Sequence, residues 1–293
     1  MALSNNNKEL EKYRSYSSIF SSSSFTKLLR FDDYSFIDAK INRYDRSKIG
    51  NEINTYYQYI QYVYLQLRKK YQNEYIYKNT FINSLLLEKY GVKDTIAINE
   101  FRVGNSIADI VLFNGTSKAF EIKTELDSNK RLSGQLTDYS KIFKECYIVT
   151  HQSLIDKYVK ENTHVGIIEW VENFHSIEMH EVRGATINSE IDADTLIRTI
   201  RTQEYKNIVM NYYGALPDMN SFNMFEICSE MIKQIPTDNL NQLFINELKK
   251  RKSNTQILRT FHQELRQLLL AMNLNQKSYV ILDEKLNKPI NIT

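Results

Sequence analysis

Hydrophobic positions recur at helical spacing early in the chain, at strand spacing in its middle, and at helical spacing again toward its end. Within 52–72, Ile53, Tyr56, Ile60, Val63 and Leu67 form one stripe, and Arg68, Lys69 and Lys70 crowd the last turn, so a helix is expected there. A second helix is expected over Asn79–Tyr90, ended by Gly91 as its C′ residue. The period then shortens. Thr95–Val103, Ser106–Phe113 and Lys118–Thr124 are rich in β-branched and aromatic residues and free of proline, and they read as strands. A helix opening at Arg131-Leu132 leads to a buried strand, Lys144–Thr150, and then to a short helix ending at Lys160. Val165–Trp170 and Ser176–Val182 extend the sheet. After a break at Arg183–Ser189, four helices are expected at about 192–212, 220–234, 238–250 and 254–271, with Pro217 and Pro236 marking connections. A strand-like piece, SYVIL, follows near the end. Residues 1–50 are polar. They predict short surface helices at Glu9–Ile19, Phe25–Arg30 (with Ser24 as N-cap) and Ser35–Asn42.

The three central strands carry a register problem that bears on chemistry. Gly104-Asn105 and Asn114-Gly115 are hairpin signals, so the strands should form a meander. A two-residue turn at Gly104-Asn105 pairs Val103 with Ser106 and sets Glu100 opposite Asp109. A two-residue second turn would pair Asp109 with Phe120 and send Glu121 to the other face. A three-residue loop, Asn114-Gly115-Thr116, instead pairs Asp109 with Glu121 and Val111 with Ala119. A one-residue slip flips every side chain, so the odd-length loop is the expectation.

In that register one surface carries Glu100, Asp109, Glu121 and Lys123. Three nearby carboxylates repel unless a cation sits among them. Oxygen-rich clusters suit Mg²⁺ or Mn²⁺. Lys123 could hold a phosphate oxygen or orient a water. Arg131, Gln135 and Tyr139 share a face of the next helix at four-residue intervals.

At these residues the sequence resembles the PD-(D/E)XK, restriction-endonuclease-like nucleases. Asp109 fits the aspartate of the second core strand and Glu121-Ile122-Lys123 the (D/E)-X-K of the third. Gln135 and Tyr139 look like the Q-x-x-x-Y element of the RecB-type branch. Ala108 stands where the motif often has proline. The resemblance covers about residues 75–170, and Asn99–Thr150 looks like a bacterial group sometimes found in phage-defence loci. It implies an α/β fold: a mixed-sheet αβββαβ core with N-terminal helices and a C-terminal helical region. It also implies metal-dependent hydrolysis of nucleic acid, DNA more than RNA, with Asp109, Glu121 and Glu100 as metal ligands. Lys123, Gln135 and Tyr139 would complete the catalytic set. Such enzymes often act as homodimers or with a partner protein. Two other readings stay open: a nucleic-acid- or partner-binding module without chemistry, and an RNA-directed toxin.

Composition changes this picture little. The chain has 293 residues, expected as an N-terminal helical region (1–73), a nuclease-like core (74–184) and a C-terminal helical region (185–293). Eight glycines and three prolines favour long helices. A net charge of +3 permits nucleic-acid binding without arguing for it. Cys146 and Cys228 are far apart, which excludes a disulfide framework. With no leader-like run and no stretch near the ~20 apolar residues of a membrane span, a cytoplasmic protein is expected.

Several other residues invite function but have plainer readings. Glu88 competes with Glu100 as a ligand. Glu125 and Asp127 could support the site, or Asp127 could cap the following helix. The stripe Tyr56, Tyr57, Tyr59, Tyr62 and Tyr64 could stack bases, but a tyrosine-rich core is preferred. Tyr77-Lys78-Asn79, and Lys249-Lys250-Arg251-Lys252 with Arg259 and Arg266, could touch a phosphate backbone; solvation is preferred for both. His151 is placed as a surface histidine, and a zinc site at His175 and His180 is disfavoured.

Overall fold

The computed structural model describes residues 2–172, 177–251 and 254–291. Five helices come first: α1 (Ala2–Ser17), α2 (Ser22–Phe31), α3 (Ser35–Lys40), α4 (Tyr56–Lys70) and α5 (Glu74–Phe81). Wide helical turns extend α3 through Ile41–Asp45 and α5 through Ile82–Tyr90. Strands β1 (Ile96–Val103), β2 (Ser106–Phe113) and β3 (Ser117–Lys123) precede α6 (Leu132–Ser140). β4 (Glu145–His151), α7 (Ile155–Glu161), β5 (Gly166–Glu172) and β6 (Ile177–Arg183) follow. The rest is helical: α8 (Ala193–Thr199), α9 (Thr202–Tyr213), α10 (Met224–Lys233), α11 (Thr237–Lys249), α12 (Arg266–Met272) and α13 (Gln276–Leu286). Among the described residues, no helix is long and apolar enough to cross a membrane.

The chain divides into two compact units: Met1–Asn83 with Gln256–Thr293, and Ser84–Thr255. This differs from the expected regions 1–73, 74–184 and 185–293. The reason is packing: α13 lies on α2, and α12 on α5 and α2, so the C-terminal end joins the N-terminal helices. Helices α8, α10 and α11 bury Leu196, Ile232, Phe244 and Leu248 in the same apolar cluster as Phe113 and Ile148 of the sheet.

In the first unit the N-terminal helices do not lie loosely on a surface. Tyr16, Ile19, Phe25, Leu28, Ile37 and Ile41 are all buried. Ser21, not Ser24, occupies the N-cap position of α2. In the tyrosine stripe of α4, Tyr56, Tyr59 and Tyr64 are buried in the core and Tyr57 and Tyr62 are half-buried. Tyr59, Tyr16 and Tyr62 direct their hydroxyls at the buried Asp45 carboxylate, and Tyr57 stacks on His262. Tyr77-Lys78-Asn79 does not precede a helix but sits within α5, buried, so it cannot reach a phosphate backbone there. The SYVIL segment is helical rather than strand-like. Asn275 caps α13 by accepting the Ser278 N–H, and Tyr279, Leu282 and Leu286 bury one face.

The second unit is α/β. Its six-stranded mixed sheet runs in the order β1-β2-β3-β4-β5-β6. β1, β2 and β3 are antiparallel neighbours, β3–β4 and β4–β5 are parallel, and β5–β6 is antiparallel. Helices α6 and α7 make the two crossovers that parallel pairing requires. The second hairpin has the three-residue loop: Phe113 pairs with Ser117 and Val111 with Ala119. One face of the sheet packs against α6 and α8–α11 through a phenylalanine cluster of Phe101, Phe113, Phe143 and Phe244. On the other, Phe120 stacks on Tyr147 beside Tyr90.

The expected helix 192–212 is two helices. Glu204 accepts the Arg201 N–H at 2.7 Å and so starts α9 afresh, while Ile200 is extended. Over 254–271, 3₁₀ turns occupy 255–260 and 263–265, and only Arg266–Met272 is α-helix.

Phe113 is fully buried among Phe101, Phe143 and Phe244. Phe113→Ala is expected to cost about 3–5 kcal/mol in urea denaturation. A second prediction concerns acid. Burial alone would raise the Glu204 carboxyl, but the paired Arg251 N–H bonds and the Arg201 N–H hold it below its ordinary value. A depressed folded value contributes stability that is complete above the unfolded 4.5 and is lost as pH falls below it. The midpoint drop between about pH 6 and about pH 3 should therefore be shallower for Glu204→Gln than for the wild type.

Candidate functional site

The β2–β3 ladder stops at Ile110–Phe120, one pair short of Asp109 and Glu121. Asp109 takes over where the strands part, its Oδ2 accepting the Ile122 N–H at 2.8 Å. The cause lies one strand away. Ile98 and Phe101 on β1, and Ala108 and Val111 on β2, all pack on the same side although the members of each pair are three positions apart. The alternation of faces is therefore broken on both strands at Glu100 and Asp109, while the register of β1 on β2 is kept. The ladder skips that pair, and Glu100 adopts a left-handed φ of 56°.

β3 is buried along its whole length, which takes Glu121 and Lys123 out of water. Glu121 is 3% exposed. Its Oε1 accepts from Lys123 Nζ at 2.8 Å and from Gln135 Nε2 at 2.7 Å. Its Oε2 lies 2.8 Å from the Tyr139 hydroxyl. Lys123 also donates to Gln135 Oε1 at 3.3 Å. Helix α6 supplies Gln135 and Tyr139 one turn apart, held down by buried Leu132 and Leu136.

Burial first, and the Asp109 charge second, push the Glu121 carboxyl upward; Lys123 and Tyr139 pull against them. The Tyr139 hydroxyl is also 2.7 Å from the Ile107 carbonyl, so its single proton faces two acceptors. A proton on Glu121 would reconcile both contacts, and a cation between Asp109 and Glu121 would relieve the same crowding of charge. Burial and the neighbouring carboxylates likewise raise Tyr139 well above its ordinary value.

Similarity to other proteins can be read against this geometry. The sequence profile of a family described as bacteriophage P4 protein cII matches residues 67–276, well over half of the chain. The chain belongs to this family. Protein cII of Enterobacteria phage P4 is 30% identical over 132 residues, which cover 44% of this chain and 50% of that protein. The chain thus spans half the length of this relative. A solved structure, the SPO1766 protein of unknown function from Silicibacter pomeroyi, is similar at 10% identity and a TM-score of 0.32. The overlap covers 49% of this chain and 94% of that one.

The cII-family segment contains all six residues singled out from sequence. Five of them, Asp109, Glu121, Lys123, Gln135 and Tyr139, lie in one network. Glu100 does not join it: it is exposed, at a left-handed φ within β1. Among the described residues, no three acidic, histidine or cysteine side chains converge to hold an ion. Glu88 is also exposed. Asp127 does not cap α6; its Oδ2 accepts the Thr124 N–H at 2.7 Å, and Ser128 takes the Lys130 N–H.

The remaining candidates are mostly structural. His151 ends β4 and accepts the Ser153 N–H at 3.2 Å through Nδ1, and Glu125 accepts from Ser153 Oγ. His180 pairs with Glu178, and His175 lies outside the described residues. In the basic run, Arg251 grips Glu204 and Lys250 pairs with Glu247, while Lys252 lies outside the described residues. Arg266 donates to the Leu258 and Arg259 carbonyls rather than outward. Sequence reasoning missed the Ile107 carbonyl and Thr150, whose Oγ1 donates to the Lys123 carbonyl at 2.8 Å. A backbone acceptor and a long-range threonine leave no pattern to find.

Tyr139→Phe removes the one hydroxyl shared by Ile107 and Glu121. It should destabilise the protein by about 1–3 kcal/mol in urea denaturation, because a buried acceptor loses its donor.

Proposed function

We propose that this cII-family chain is a divalent-metal-dependent nuclease that hydrolyses phosphodiester bonds, DNA before RNA. The observation that carries the reading is Asp109 set beside a buried Glu121, with Lys123 in contact and Gln135 and Tyr139 bracing it. The meander followed by the α6 crossover and parallel β4 supports reading the second unit as a restriction-endonuclease-like core.

The residues fit a hard cation. Two carboxylates in reach of one another, one desolvated and raised by the other's charge, are what Mg²⁺ or Mn²⁺ would stabilise. Asp109 and Glu121 would hold the ion. When bound, it supplies Lewis-acid activation of water and of the phosphoryl group. Gln135 fixes the orientation of Glu121 through Oε1, and Tyr139 does so through Oε2. Lys123, released from Glu121, places an ammonium against a non-bridging phosphate oxygen, where charge grows as water attacks phosphorus and the P–O ester bond breaks. Buried β3 keeps these groups from relaxing into solvent.

A second reading, a nucleic-acid-binding module without chemistry, draws support from one fact: Lys123 and Gln135 already occupy one oxygen of Glu121 and the Tyr139 hydroxyl abuts the other. Cleavage of circular and linear DNA, and of RNA, with Mg²⁺, with Mn²⁺ and with EDTA separates the two. Metal-dependent cutting should fall at least about a hundredfold in Glu121→Ala and Lys123→Ala variants that keep their fold. Absence of cutting, together with no heat on calorimetric titration with Mn²⁺, would leave the binding module as the function.

A further inference from the structure

The loop after β3 is pinned at two places. Near its start, Glu125 accepts from Ser153 Oγ. Near its end, Asn129 Oδ1 accepts from the Tyr158 hydroxyl at 2.7 Å. Both donors belong to the segment that follows β4, so residues 124–131 are fixed relative to the ends of the two parallel strands. Lys130 and Arg131 ride on this loop. Both are exposed, and neither side chain makes a hydrogen bond or ion pair among the described residues. Several cations elsewhere in this unit are committed: Lys118 to Glu145, Lys141 to Asp138, Lys144 to Asp238 and Arg251 to Glu204. Arg131 is the N-cap of α6, four residues before the Gln135 that bonds Glu121, so it stands at the end of the helix that enters the Glu121 network.

A third donor sits on the neighbouring strand. Lys123 pairs laterally with Thr150, so His151 follows directly, on a strand only ~4.8 Å away. Nδ1 accepts the Ser153 N–H, with Glu125 Oε1 3.4 Å from the same nitrogen, and the tautomer that makes this cap carries its proton on Nε2. No hydrogen bond engages Nε2 among the described residues. The ends of parallel strands are where open α/β sheets take their ligands.

We infer that the 124–131 loop and His151 form a clamp for the phosphodiester backbone of a nucleic-acid strand, with Lys130 and Arg131 on phosphates flanking the scissile one and His151 Nε2–H on a further phosphate oxygen. The clamp rests on the nuclease reading and gives it a substrate-holding surface. It recognises backbone and not base sequence, because each of its contacts goes to phosphate.

The test is binding of a fluorescein-labelled DNA strand and its duplex to the full chain in EDTA, where cleavage is silent, followed by anisotropy over a salt series. Lys130→Gln with Arg131→Gln should lower the slope of log K against log salt by about 1.4 on the single strand and about 1.8 on the duplex. An unchanged slope overturns the clamp. His151 is tested by two substitutions that separate its donor from its cap. His151→Gln keeps an amide donor near Nε2, whereas His151→Asn keeps only the acceptor that caps Ser153. The donor role predicts binding about tenfold weaker in His151→Asn and near wild type in His151→Gln. The reverse order shows a cap alone and removes His151 from the clamp. Metal-dependent cutting with unaltered slopes would sink the clamp and leave the nuclease standing. No nucleic-acid binding by the wild type, with no cutting, would overturn both.

Discussion

A carboxylate buried on a central strand has to be matched, and much of the second unit's arrangement around β3 answers that demand. Glu121 sits on β3, three per cent exposed, with a second carboxylate close by. Removing an ionised group from water costs several kcal/mol unless hydrogen bonds and opposite charge return it. Lys123 supplies the charge. Gln135 and Tyr139 supply the bonds, and they can do so only because α6 crosses over β3 on its way to β4. The crossover that makes β3 and β4 parallel is thus also what satisfies the acid. Helix packing and acid–base chemistry are one constraint at this point.

The break in alternation at Glu100 and Asp109 is its counterpart on the other side. A regular ladder would have spent the backbone around Asp109 on strand pairing. Instead Asp109 bonds the Ile122 N–H through its side chain, which anchors it beside Glu121. Glu100 absorbs the distortion with a left-handed φ inside the strand, an uncommon and mildly costly conformation for a residue with a side chain. One residue bears the strain while its neighbour across the ladder is positioned.

Much of this was legible in the sequence, and the rest was not, for physical reasons. Strand boundaries followed from β-branched runs between glycine turns. The pairing of Val111 with Ala119 followed from counting through Asn114-Gly115-Thr116. Gln135 and Tyr139 could be aligned because helical spacing is local. Glu100 misled because counting faces along a strand presumes unbroken alternation, and a break is set by packing on both sides of the sheet. The break before α9 depended on Glu204 preferring a backbone N–H and a distant arginine over continuing a helix. The segment at Ser278–Leu282 misled because its β-branched Val280 and Ile281 lie on the exposed side of α13. Its identity as a helix is written in Asn275 and in the spacing of Tyr279, Leu282 and Leu286.

The division of the chain has a consequence for synthesis. All of Ser84–Thr255 leaves the ribosome in one continuous stretch, and its first strand is tied to its last residue, Ala97 N–H to Thr255 Oγ1 at 3.2 Å. Residues 1–83 emerge earlier, yet part of their packing comes from α12 and α13, which are translated after Ser84–Thr255. Until those helices are made, apolar residues of α2 such as Phe25 and Leu28 lack the cover that α12 and α13 give them. The helices made first thus complete their packing only after the sheet-bearing unit has been made.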